Sequence, residues 1–209
     1  KIKTAVFISG TGSNLKSLIK FSKLKNSPIS INLIVSDNPK SKGLQFGKRF
    51  QIKRKIFNFE KKSIAERKII LELKKNKINL ICLAGFMKIL SEEFVDKWEK
   101  KILNIHPSIL PLFPGLNTHE KVLHNGMKIH GSTVHIVDKG IDSGTIIAQS
   151  AIKVNDSDDK KSIEDRIKKS EHYLYPRAIK YYVLNFYFKK DKNSLKNKKN
   201  KYSNVLYSI

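Results

Sequence analysis

Residues 78–86 read INLICLAGF, a nearly unbroken apolar run with a lysine-rich stretch before it and Lys88 just after it. A strand this apolar on both faces suits the centre of a parallel sheet, with helices packed above and below. The neighbouring sequence supplies what such a strand needs. TAVFIS, the glycine turn GTGSN, and the spacing of Leu15, Leu18, Ile19 and Leu24 predict strand, tight turn and helix. SINLIVS predicts a second strand, KGLQFGKRF a helix and KIFNF a short strand. SIAERKIILELKKN has amphipathic helical spacing, with Ile64, Ile69 or Ile70, and Leu73 on one side and charge on the other. SEEFVDKWEK places Ser91 as an N-cap ahead of Glu92 and Glu93, which favour the positive end of a helix dipole. This alternation predicts an α/β fold with a mostly parallel central sheet and helices on both faces.

Past Pro107 the pattern changes. THEKVLHNG predicts a short helix stopped by Gly126, and HGSTVHIVD and GTIIAQSAIKV alternate like a hairpin or the mixed edge of a sheet. Residues 162–188 read as helix on either side of Pro176, where a new helix must start or the old one kink. The expected organisation is one domain over residues 1–188 and a Lys- and Asn-rich tail over 189–209, loose and without a catalytic part.

The chain has 209 residues, 40% of them hydrophobic, which is enough for one ordinary core. Its formal net charge of +24 would suit nucleic acid, but the excess is mostly Lys, spread along the chain between apolar positions and accompanied by many Ile and Asn. That is the residue bias of AT-rich coding sequence, so no nucleic-acid partner is expected. A general attraction for anionic substrates remains. No apolar run is long enough to span a bilayer, and KIKTAVFISG is too short and too quickly polar for a secretory signal, so no membrane partner and a cytoplasmic location are expected. Cys82 is the only cysteine; its apolar neighbours predict an inert buried thiol.

Three places can carry chemistry. SGTGSN lacks the Lys of a P-loop and the third glycine of a dinucleotide fingerprint. It is either an ordinary tight turn or a site for one phosphate, with Gly12, Ser13 and Asn14 as donors. ILNI reads as a strand ending at His106, because Pro107 cannot continue a ladder. Asn104 and His106, two apart, then share a face at the carboxyl edge where open parallel sheets bind ligands. An amide beside an imidazole can stabilise an oxyanion and move a proton, although a half-buried histidine needs no such role. Asp142, in the turn DKGIDSG, is either a turn residue or, if it meets His106, the carboxylate that orients it. His119, His124, His130 and His135 match no metal-binding spacing, so no metal is expected.

FISGTGSNLKSLI, LAGFMKILSEEFV, LNIHPSILPLFPGLNTHEKVL, HGSTVHIVDKGIDSGTIIAQ and EHYLYPRAI, in register from about Lys3 to about Phe188, resemble the phosphoribosylglycinamide formyltransferases, the folate-dependent transformylases of purine synthesis. The resemblance implies a Rossmann-like formyltransferase fold and transfer of formyl from 10-formyltetrahydrofolate, as cosubstrate, to glycinamide ribonucleotide by a monomer or homodimer without a metal. It implies Asn104, His106 and Asp142 as the catalytic trio. Gly12, Ser13, Asn14 and Pro107 would bind the ribonucleotide, and Glu171 its ribose. Met87, Lys88, Ile89, Leu90 and Val95, with Asn104, Gly140, Ile141 and Asp142, would form the folate pocket, and Lys62 would meet the folate tail. Lys62 and Lys88 stand where relatives often carry Arg, keeping charge without bidentate geometry. Ser143 replaces a glycine of the commoner turn. Methionyl-tRNA formyltransferase shares the Asn-x-His segment but normally carries a further C-terminal domain, and formyltetrahydrofolate hydrolase usually carries an N-terminal one. GLNTHEKVL suits the ribonucleotide enzyme better than either.

Overall fold

The first strand, β1 (Ile2–Ile8), passes through the glycine turn into α1 (Ser13–Lys23), and the chain returns as β2 (Ile29–Ser36). The order continues as α2 (Leu44–Arg49), β3 (Lys53–Ile56), α3 (Lys62–Lys75), β4 (Leu80–Leu83), α4 (Glu92–Lys97) and β5 (Ile102–His106). After these come α5 (Thr118–His124), β6 (Ile129–Ile136), β7 (Ile146–Lys153) and α6 (Lys160–Tyr182), which ends in the π-helical turn Val183–Tyr187. A last short strand, β8, covers Leu206–Ser208. The structure is a computed structural model that describes residues 1–187 and 206–208. The expectation of a loose tail therefore falls, for residues 188–205 and 209, outside the described residues. Leu206–Ser208 departs from it by pairing in parallel with β7, whose outer edge offers unpaired backbone groups.

The sheet order among the described residues is β3-β2-β1-β4-β5-β6-β7-β8. β4, the centre of INLICLAGF, is buried throughout and lies parallel to both β1 and β5, as its apolar run predicts. β6 turns antiparallel to β5, and β7 antiparallel to β6, which makes the mixed C-terminal part. Side chains alternate between two cores. Val6, Ile8, Leu103 and Ile105 face α1 and α6, where Leu15, Leu18, Ile19, Leu174, Tyr175 and Ile179 are buried. Ala5, Phe7, Ile81 and Ile102 face α3 and α4, against Ile69, Leu73, Phe94 and Trp98. Because β1 and β4 are neighbours, the strand order reverses between them, and the carboxyl edge there opens a crevice.

Several local expectations shift. KIFNF starts its strand too late: β3 ends at Ile56, and Phe57 and Phe59 pack on the core from the loop beyond. Leu24 lies past the end of α1 and is exposed, as is Ile64 on α3. The buried stripe of α3 instead includes Ala65, Glu66, Ile69 and Leu73. Glu66 is buried because it serves α4: its carboxylate accepts the Ser91 backbone N–H at 2.7 Å and the Ser91 hydroxyl. Ser91 Oγ in turn accepts the Phe94 N–H at 3.1 Å, the predicted N-cap. α6 runs unbroken through Pro176 rather than starting anew. Proline has no N–H for the carbonyl of His172, and the Ser17 hydroxyl from α1 donates to that oxygen at 2.7 Å. The helix thus continues while the lost bond is replaced across the α1–α6 contact.

Candidate active site

At the carboxyl edge, the turn after β1 holds Gly12 at φ 74°, a left-handed conformation that glycine adopts without strain. A Cβ at this position would sit 2.6 Å from the Cα of Gly43, so the turn also closes tightly on the start of α2. α1 begins at Ser13 with no side chain capping it, which leaves first-turn N–H groups aimed at the crevice. Asn14 is buried and its Nδ2 donates to Glu171 Oε2 at 2.8 Å, bringing residues predicted from opposite ends of the chain together. Asn14 Oδ1 is buried without a hydrogen-bond partner. Burial pushes the Glu171 carboxyl up to about 7, and the Asn14 hydrogen bond opposes that only in part.

Two strands over, beyond β4, Asn104 and His106 project from the same face of β5 as Ile102. Their side chains converge on Asp142. His106 Nδ1 is 3.2 Å from Asp142 Oδ2, which also accepts the Gly115 N–H at 2.9 Å. His106 Nε2 lies 2.9 Å from the carbonyl of Phe113. A carbonyl only accepts, so Nε2 carries a hydrogen and Nδ1 is the nitrogen left to work beside the carboxylate. Phe113 and Asp142 hold φ values of 53° and 52°, so two bulky left-handed residues flank this histidine. Burial lowers the His106 pKa, and the Phe113 carbonyl and the Asp142 charge oppose the fall. Burial acts to raise Asp142, but hydrogen bonds from His135 and the Gly115 N–H and the charges of the two histidines outweigh it and hold the carboxyl below its usual value.

His135 stands opposite Asn104 in the β5–β6 pairing and was not among the expected site residues. Its Nε2 is 3.2 Å from Asn104 Nδ2 and 3.4 Å from Asp142 Oδ1, and Asn104 Nδ2 donates to that same Oδ1 at 3.3 Å. In sequence it is one of five histidines after β5; only the antiparallel register shows that it faces Asn104.

The remaining expected residues divide by environment. Leu90 and Val95 are buried against the α3–α4 face, with Phe94 and Phe7, while Met87, Ile89 and Ile141 expose large apolar side chains. The Met87 N–H is held by Ser9 Oγ at 2.8 Å, which ties the segment after β4 to the glycine turn. Lys88 Nζ lies 3.9 Å from Asp37, whose other oxygen is buried and unpartnered. Lys62 lines a groove of about 740 Å³ between α3 and α4, together with Arg67, Ser91, Glu93 and Lys97. Pro107 follows His106 directly. The Asp138 carboxylate accepts the Gly140 N–H and the Ser143 hydroxyl, so Ser143 fastens the turn that carries Asp142. Burial raises the Cys82 thiol to about 12, in keeping with an inert thiol. Among the described residues no cluster of metal-ligating side chains occurs, and no helix is long and apolar enough to cross a membrane.

Residues 2–179 match the profile of the formyl transferase family. The phosphoribosylglycinamide formyltransferase of Bacillus subtilis is 40% identical over 181 residues, covering 85% of this chain and 93% of that protein. The human trifunctional purine biosynthetic protein adenosine-3 is 41% identical over 182 residues, 86% of this chain, and the chain spans only 18% of its length. In three dimensions the phosphoribosylglycinamide formyltransferase of Brucella melitensis superposes with a TM-score of 0.84 at 40% identity, covering 88% of this chain and 96% of that one.

Proposed function

The chain belongs to the formyl transferase family, and on that premise we propose that it transfers the formyl group of 10-formyltetrahydrofolate to the amine of phosphoribosylglycinamide. The observation that carries this reading is the convergence of Asn104, His106 and Asp142 at the carboxyl edge, close to the uncapped start of α1.

The first-turn N–H groups at Gly12, Ser13 and Asn14 suit a phosphate, because the helix dipole adds to their partial charge. Glu171 and the unpartnered Asn14 Oδ1 offer acceptors for ribose hydroxyls, and Pro107 borders the same crevice. Met87, Ile89 and Ile141 offer exposed apolar surface for a flat pterin, with Leu90 and Val95 buried beside them in sequence and Gly140 and Asp142 flanking Ile141. Lys88 and Lys62 supply charge for the glutamate end of the folate.

In the reaction the substrate amine attacks the formyl carbon, and a C–N bond forms while the carbonyl becomes an oxyanion. The Asn104 amide and protonated His106, through Nδ1–H, stabilise that charge. Asp142 favours the charged form of His106 against the burial that lowers its pKa and, through water, helps carry the proton from the attacking amine to the folate nitrogen as the old C–N bond breaks. Products are formylglycinamide ribonucleotide and tetrahydrofolate. Each step uses protein groups that can donate, accept or move a proton, and no metal or covalent intermediate is invoked. The soluble, anionic character of both substrates fits a cytoplasmic monomer or homodimer.

The test offers the protein 10-formyltetrahydrofolate with glycinamide ribonucleotide in one assay and with charged initiator tRNA in another. Transfer to the ribonucleotide is expected, with a loss of about 100-fold or more in His106→Ala and Asp142→Asn at unchanged folding. Transfer to the tRNA alone would overturn the substrate assignment, and full rates in both variants the assignment of roles.

A further inference from the structure

His135 is 2% exposed, lies on β6 directly across from Asn104, and touches two members of the catalytic trio. Its Nδ1 is 3.0 Å from the carbonyl of Ile136, and only an N–H can make that contact. In the neutral ring the hydrogen therefore sits on Nδ1, and Nε2 presents a lone pair to Asn104. An amide nitrogen has two hydrogens. With acceptors at 3.2 and 3.3 Å, His135 Nε2 and Asp142 Oδ1, the Asn104 side chain is fixed with its nitrogen toward the carboxylate and its oxygen turned away. Turning the amide over would point its oxygen at two acceptors, so the neighbours themselves specify the orientation.

Resting on the formyl-transfer reading, we propose that His135 is a positioning residue for the reaction: by accepting from the Asn104 amide it fixes which way that side chain faces beside the Asp142 carboxylate, which His106 also contacts. The arrangement places two imidazoles on one carboxylate, one on each oxygen. Four titratable groups surround His106: Asp142 from the β6–β7 turn, His135 on β6, Lys121 on α5 and His130 farther along β6. Removing the ring takes away the acceptor that sets the Asn104 amide, and a side chain that restores an acceptor should restore the setting, an effect that lost packing alone does not produce.

The experiment compares His135→Ala and His135→Gln with the parent protein by steady-state kinetics and by NMR of the Asn104 side-chain amide without substrates. In His135→Ala kcat should fall about 10- to 100-fold with both KM values little changed, because a mis-set amide weakens the transition state rather than binding. In His135→Gln the side-chain oxygen can still accept from Asn104, so kcat should recover in part. The Asn104 amide signals should shift in His135→Ala and stay nearer their parental positions in His135→Gln. A parental kcat in His135→Ala overturns the proposal, and so does a loss of kcat with unmoved Asn104 amide signals. Should His135→Ala not fold, His135→Gln carries both readouts. A parent protein that fails to formylate the ribonucleotide refutes the functional reading instead, and the Asn104 amide signals still decide whether His135 sets that side chain.

Discussion

At Glu171, a carboxyl surrounded by protein is left with one amide donor, and burial raises its pKa from 4.5 to about 7. The sign of the consequence follows from proton counting. Between these values the folded chain holds a proton that the unfolded chain has released, so the stability this group contributes is fully present below about 4.5 and is lost as pH rises through about 7. Glu171→Gln keeps an acceptor for Asn14 but cannot ionise. Relative to the parent it should gain up to about 3 kcal/mol between pH 5 and pH 8, measured by urea unfolding at each pH. A constant difference across that range would mean that Glu171 does not carry the shift. Asn104 and His106 were legible as a pair because strand periodicity puts residues two apart on one side. Asp142 was legible only as a carboxylate in a turn, and His135 was not legible as a site residue at all, since its role depends on which residue of β5 it faces.

Helix boundaries were read well where a capping residue marks them and poorly where packing sets them. Ser91 ahead of two glutamates announced α4 in the sequence. What could not be seen was that Glu66, placed on the charged side of α3, turns inward to bind the Ser91 N–H and hydroxyl. Ser91→Ala should therefore remove the N-cap and also deprive a buried carboxylate of a donor. We expect a loss of about 1–3 kcal/mol with an unchanged m-value in urea. A loss below about 0.5 kcal/mol would show that solvent replaces both bonds. Pro176 marks the opposite case. The sequence required a new helix or a kinked one; α6 is one helix through Pro176, and a hydroxyl on another helix takes the abandoned carbonyl. The short strand β3 likewise lies two residues earlier than its apolar side chains suggest, since Phe57 and Phe59 reach the core from a loop.

For the molecule as a whole, the charge of +24 is a property of the long-range field rather than of the fold. If both substrates are anionic, kcat/KM should fall several-fold between about 50 and about 500 mM salt, with most of the change in KM, as screening shortens the reach of the field. Salt-independent kcat/KM would show that capture does not draw on it. The sequence by itself determined the layered α/β architecture, because only a sheet covered on both faces can bury INLICLAGF and its neighbouring strands. It also determined that Asn104 and His106 share a strand face at an edge set by Pro107, since that follows from local backbone geometry. Tertiary structure alone decided which distant groups meet them. The antiparallel register brought His135 to Asn104, the left-handed turn brought Asp142 to both histidines, and α6 carried Glu171 to Asn14. Such contacts join residues up to 157 positions apart and depend on how whole elements pack, which no local pattern of side chains encodes.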